Sequence, residues 1–297
     1  MPARFAPAFE RYVAPARRHA EIWRTFLGLC LIGVIYVGWV YAAIRVYHRL
    51  AVWLGRSATL DQMAQATTPA DTLALLSTFL GMALGPILIV RLLHHRPIGS
   101  LFGRASIVLR DFCVAALLVG LVYGLSFIPW AWRFDAVPRL DPATWLLVLP
   151  LAMLGLLIQT GAEELVFRGY LQQQLAARFR WRIVWLVLPS LIFGAAHYDP
   201  AVAGGNVWLV IGATAMFGLA AADLTSVTGS IGAAWGFHFA NNFAAILILA
   251  TKGTIPGLAL FTTPYSAQET DGMAWLFASD MVTLFIAWAL VRRALQN

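Results

Sequence analysis

Eight strongly apolar segments divide this chain of 297 residues, at 25–46, 72–93, 111–130, 144–176, 182–198, 206–224, 229–250 and 273–291. A helix crosses the roughly 30 Å of bilayer hydrocarbon in about 20 residues at about 1.5 Å per residue, and most of these runs reach that length. They are much longer than the roughly 9–11-residue strands of a membrane barrel and lack its alternation. The expected fold class is therefore all-α: a polytopic membrane helical bundle with about eight transmembrane helices. With 60% hydrophobic and only 12% charged residues, the chain lies outside the soluble range of about 25% charged.

The organisation expected is a basic tail over 1–24 followed by one transmembrane bundle over 25–297. The first apolar run follows five arginines and is too long for a signal peptide core of about 7–15 residues, so it reads as a retained helix. Phe5–Trp23 mixes aromatics, alanine and arginine, which suits either a surface amphipathic helix or a mobile basic tail. The net charge of +7 does not point to nucleic acid, because Lys252 is the only lysine and the arginines concentrate in loops and tails. With eight spans, thirteen of them (Arg4, Arg11, Arg17, Arg18, Arg24, Arg96, Arg104, Arg110, Arg178, Arg180, Arg182, Arg292, Arg293) fall on one side. Arg49, Arg56, Arg133, Arg139 and Lys252 fall on the other. Both termini are then expected to be cytoplasmic, and the Arg-rich, Lys-poor composition points to a bacterial inner membrane. Cys30 and Cys113 lie inside apolar runs and suggest no disulfide framework. Trp130, Trp132, Trp145, Trp181 and Trp185 fall near span ends, as interfacial anchors do.

Three of the last five segments carry polar residues where a spanning helix should carry none: Glu163-Glu164 with Arg168, Phe193 with His197, and His238-Asn241-Asn242. Ionisable groups cost roughly 2.5–3.5 kcal/mol each at membrane depth on insertion scales, so they ordinarily mark function. Glu163 precedes Arg178 by 15 residues, His197 follows Arg182 by 15, and His238 follows Asp223 by 15. If all three stretches are helical, each lies about 22 Å from one charged boundary, and the three can meet at one level. This requires the fourth helix to continue through Phe167–Leu175. Four-residue spacing puts Glu164 and Arg168 on one face in the favourable order, and pairs His197 with Phe193 and His238 with Asn242. Glu163, turned about 100° from Glu164, is free to face a cavity.

Gathered together, these groups can activate water. A carboxylate and an imidazole can share one water and take its proton, while a second histidine with Asn242 donates to the oxyanion of a tetrahedral intermediate. Two histidines and a glutamate also form a catalytic zinc set, so a zinc ion on Glu163, His197 and His238 is the alternative, and the cofactor is left open.

Glu-Glu-x-x-x-Arg, Phe-x-x-x-His and His-x-x-x-Asn in that order, within about 144–250, resemble the CAAX prenyl protease and bacteriocin-processing family of intramembrane proteases. The resemblance implies an endopeptidase in which Glu163 and His197 activate water, and His238 and Asn242 stabilise the oxyanion. Glu164, Arg168 and Phe193 would support the site. The implied substrates are membrane-associated peptides or proteins, prenylated CAAX-type ones included, and the implied partners are membrane lipids, with no nucleic acid. The family has also been described as metalloproteases, which keeps zinc in view.

Blander roles compete. A buried Glu–Arg pair often only ties helices together, and Asn242 or its neighbour Asn241 can bridge helices as amides do. Asp280 is an acid in the last span outside any motif. His94 and His95, in a basic loop, read as solvated. A transporter would place polar residues in two related halves, whereas here they cluster in one. A non-catalytic binding, immunity or assembly factor of the same family is the other rival. There is no His-Glu-x-x-His and no Gly-x-Ser-x-Gly.

Overall fold

Prolines and capping side chains set the starts of the long helices. Pro69, Pro142 and Pro200 each stand in a first helical turn, where the missing N–H costs nothing. Thr68 and Asp71 form a reciprocal capping box, and Asp141 accepts from the Thr144 N–H at 3.0 Å. The computed structural model describes residues 5–55, 59–133 and 135–296, with the backbone alone at 129–133 and 270–274. Arg4, Arg56 and the side chains of Trp130, Trp132 and Arg133 lie outside the described residues.

In chain order the helices are α1 (Pro7–Val13), α2 (Ile22–Trp53), α3 (Leu60–Gln65), α4 (Pro69–Leu92), α5 (Ala105–Arg133) and α6 (Pro142–Glu164). They continue with α7 (Gln173–Arg178), α8 (Leu188–Ala195), α9 (Pro200–Ala203), α10 (Val207–Thr228), α11 (Gly232–Asn242) and α12 (Thr270–Leu295). Strands β1 (Val137–Pro138), β2 (Leu249–Lys252) and β3 (Phe261–Ser266) form a small sheet in the order β1-β3-β2. β1 pairs antiparallel with β3 and β2 parallel to it.

The all-α membrane bundle expected from the apolar runs is the architecture observed. Among the described residues, six helices are long and apolar enough to cross a membrane: Ile22–Trp53, Pro69–Leu92, Ile98–Ile128, Pro142–Arg178, Pro200–Thr228 and Trp275–Leu295. The other two expected spans differ. Ile183–Ala195 is apolar but rises only about 20 Å. The run 229–250 becomes α11 and a π-helical turn, Phe243–Ile248, then leaves the helix for β2. Hydropathy reads apolarity, and a short helix can be as apolar as a spanning one. Beyond that run, Phe261–Ser266 forms β3, paired with Val137–Pro138 on one side and with β2 on the other.

The helices pack pairwise, α2 on α4, α4 on α6, α5 along α11 and α8 on α10. Many large apolar side chains point outward, Leu147 with 79% of its surface exposed among them, as a lipid-facing surface requires. The N-terminal segment packs into the bundle: Phe9, Tyr12, Val13 and Ala16 are buried, and the Tyr12 hydroxyl donates to the Leu101 carbonyl at 2.7 Å. His94, expected as a solvated loop residue, is also buried, between the His19 carbonyl and the Tyr170 hydroxyl, while His95 is exposed. A basic loop looks solvated in sequence, but α1 and the segment after it cover this one.

Candidate active site

The fourth long helix does continue past the carboxylates. α6 runs into a π-helical segment, Leu165–Gln172, and then α7, so Pro142–Arg178 forms one span. Further π-helical turns form at Ile183–Val187 and immediately after Asn242. Such turns re-aim side chains within a helix and are frequent at functional sites.

Glu163, His197, His238 and Asn242 all line one cavity of about 180 Å³ between α6, α8, α10, α11 and α12. Phe193 and Phe217 form part of its wall. A second cavity of about 210 Å³ shares Asn241, Phe277 and Asp280 with it and extends toward β2 and β3.

Glu164 and Arg168 lie behind the cavity, fully buried. Arg168 Nη1 donates to Glu164 Oε1 at 2.9 Å and Nη2 to the Gly218 carbonyl at 3.2 Å, with the guanidinium 4.8 Å from the Phe193 ring centroid. The same Glu164 Oε1 accepts from His238 Nδ1 at 2.8 Å. That bond fixes the imidazole and turns Nε2 toward Glu163, whose Oε2 is 3.5 Å away. Glu163 Oε1 accepts from Gln159 Nε2 at 2.9 Å, while Oε2 is buried with no hydrogen-bond partner.

His197 stands in the turn after α8 and its ring packs 4.9 Å from that of Phe193. Its Nδ1 is 2.8 Å from the Phe193 carbonyl. A carbonyl only accepts, so Nδ1 carries the hydrogen and Nε2 is the basic nitrogen of the neutral ring. Close packing holds α8 in place: a Cβ at Gly194 would lie 2.6 Å from the Ile211 carbonyl and 2.8 Å from the Ala215 methyl on α10.

Asn242 departs from the expected pairing with His238. Its Nδ2 donates to Gln159 Oε1 at 2.9 Å, while His238 donates through Nδ1 to Glu164. Gln159 went unread in the sequence, although it sits one turn before Glu163 on the same face and is an amide in an apolar run. Asn241 donates to Asn242 Oδ1 at 3.1 Å, and its own Oδ1 lies 2.6 Å from the Tyr123 hydroxyl. That hydroxyl is also 3.0 Å from Asp280 Oδ1. Tyr123 gave no sequence signal, since tyrosines are ordinary in apolar helices.

Among the described residues no three His, Cys, Asp or Glu side chains are grouped to hold a metal ion. Each histidine has Nδ1 held, by Glu164 or by a backbone carbonyl, which leaves Nε2 free as in metal-binding histidines, but these nitrogens and Glu163 are not brought together as a three-donor group. The set Glu163, His197 and His238, as placed, does not fit zinc.

Comparison with known proteins bears out the resemblance read from the motifs. The type II CAAX prenyl endopeptidase, Rce1-like family matches residues 142–244, the stretch that holds every motif residue. The chain is also similar to the uncharacterised protein YyaK of Bacillus subtilis strain 168, with 24% identity over 253 residues. That alignment covers 83% of this chain and 84% of the relative. No solved structure matches the chain.

Proposed function

We propose that this protein is an intramembrane endopeptidase that hydrolyses peptide bonds of membrane-associated substrates, prenylated CAAX-type peptides among them, with water activated by Glu163 and His197. A protease-type hydrolase in a membrane bundle is what the family match supports at the coarse level. The observation that carries the finer reading is the buried Oε2 of Glu163, which accepts no hydrogen bond and lies 3.5 Å from His238 Nε2, in a cavity shared with His197, His238 and Asn242.

Each atom of the site then has a task. Gln159 occupies Oε1 of Glu163 and leaves Oε2 to take a proton from water, with His197 Nε2 as the second acceptor for that water. The water oxygen attacks the scissile carbonyl carbon, and the proton moves on to the leaving amine as the C–N bond breaks. Asn242 has two amide hydrogens and gives one to Gln159. The other, together with the Nε2–H of a doubly protonated His238 whose Nδ1–H is given to Glu164, stabilises the developing oxyanion, where a preorganised donor is worth about 2.7–4 kcal/mol. Glu164 and Arg168 hold His238 in place and do not touch substrate. The adjoining cavity gives an extended peptide room on one side of the scissile bond.

The arginine distribution supports cytoplasmic termini, and the Arg-rich, Lys-poor composition suits a bacterial inner membrane. The test is cleavage of a library of membrane-anchored peptides, prenylated and unprenylated, by the purified full-length protein beside Glu163→Gln. Cleavage by the wild type and none by the variant is expected. A well-folded wild-type protein that cleaves nothing would instead favour a non-catalytic binding role.

A further inference from the structure

A chain of hydrogen bonds joins two carboxyl groups in this molecule. It runs from Asp280 on α12 to Tyr123 on α5, then to Asn241 and Asn242 on α11, Gln159 on α6, and Glu163. The heavy-atom separations along it are 3.0, 2.6, 3.1, 2.9 and 2.9 Å. These are five links, and each needs one hydrogen. The interior members supply four: one from the phenol, and one from each of three amides that point the oxygen one way and the nitrogen the other.

The fifth hydrogen has to come from an end. If both carboxylates were charged, two acceptors would face each other at one link, a costly arrangement in a membrane interior. The heavy atoms admit two polarities. In one, Asp280 donates to the Tyr123 oxygen and Gln159 ends the chain by donating to charged Glu163. In the other, Glu163 donates to Gln159, every amide is reversed, and Tyr123 donates to charged Asp280.

We infer that Asp280 is a positioning residue that carries the proton whenever Glu163 is the charged base, orienting Tyr123, Asn241, Asn242 and Gln159 toward the working carboxylate. The inference rests on the reading of Glu163 as that base. It gives the chain a second task, since the same polarity presents the Asn242 amide nitrogen, rather than its oxygen, to the cavity. The titratable groups facing Asp280 are Tyr123 on α5 and, across the shared cavity, Glu163 on α6, His197 after α8 and His238 on α11. From α10 the described lining residues include Thr214 but no titratable group, and from β3 Thr263 faces the neighbouring cavity.

The test is infrared difference spectroscopy of the purified full-length protein, following the protonated-carboxyl stretch against pH without any substrate. The wild type should show the stretch at neutral pH, and Asp280→Asn should delete it. In Glu163→Gln the new amide supplies the fifth hydrogen, freeing Asp280 to ionise. The midpoint for losing the stretch should then fall by at least about one pH unit, the coupling at which two groups titrate as a pair. Tyr123→Phe cuts the chain and leaves any through-space effect, so adding Glu163→Gln to Tyr123→Phe should move the midpoint little. No such stretch at neutral pH, or equal midpoints in the wild type and Glu163→Gln, overturns the inference. So does a shift that survives Tyr123→Phe in full. Should Asp280→Asn fail to fold, the Glu163→Gln and Tyr123→Phe midpoints decide alone. Absence of peptide cleavage with the coupling intact would sink the hydrolase reading and leave the hydrogen-bond chain standing.

Discussion

Arg168→Ala removes the cation from a pair that has no access to solvent. Arg168 and Glu164 have side-chain exposures of 2% and 0%, so screening by water and salt is slight. The substitution leaves Glu164 with the His238 Nδ1–H as its remaining donor and orphans the Gly218 carbonyl contact. It also strips the guanidinium from the face of Phe193. Breaking a buried pair by removing one partner costs about 3–5 kcal/mol, because an uncompensated charge stays behind. Replacing both partners by neutral groups of similar size is often close to neutral, so Glu164→Gln with Arg168→Met should lose much less than Arg168→Ala, and His238 keeps an acceptor on Gln. The assay is reversible unfolding in mixed micelles by rising denaturing detergent, read by tryptophan fluorescence, with both singles and the double completing a cycle. A loss below about 1 kcal/mol for Arg168→Ala, or singles that simply add in the double, would refute the claim that this pair is a coupled, desolvated unit.

Other outcomes follow from the same geometry. Glu163→Gln should lower the rate of hydrolysis by about 10²–10⁴-fold with little change in unfolding midpoint; a variant that retains wild-type turnover removes Glu163 as the base. Gln159→Leu releases Glu163 Oε1 and Asn242 Nδ2 together, and kcat should fall by about tenfold or more with KM nearly constant, as expected when a transition-state contact is misaligned. Gly194→Ala should destabilise by about 1–3 kcal/mol through overpacking of α8 on α10, and an unchanged unfolding midpoint would show that the helices part freely there. The fourth concerns pH: burial lowers the pKa of His94 from the ordinary 6.5 to about 4. The folded state then binds fewer protons than the unfolded one, so the stability from this group is complete above pH 6.5 and lost as pH falls toward 4. Thermal scans should show that acid limb flattened in His94→Gln.

The apolar runs alone dictated a membrane bundle, because runs of about 20 apolar residues without alternation satisfy their backbone in a bilayer as helices, not as barrel strands. Four-residue spacing likewise determined the Glu164–Arg168 pair and the nearness of Phe193 to His197, since both follow from one helical turn. What hydropathy does not distinguish is a short apolar helix from a spanning one, so 182–198 and 229–250 both read as full spans. Nor could it show that the chain after Ile248 leaves the helix to pair with β3. The partners of Asn242 and Asp280 were decided only by the tertiary structure. Gln159 sits 83 positions from Asn242, and Tyr123 sits 157 from Asp280. Contacts between helices so far apart in sequence depend on how the helices pack, and no local period records them.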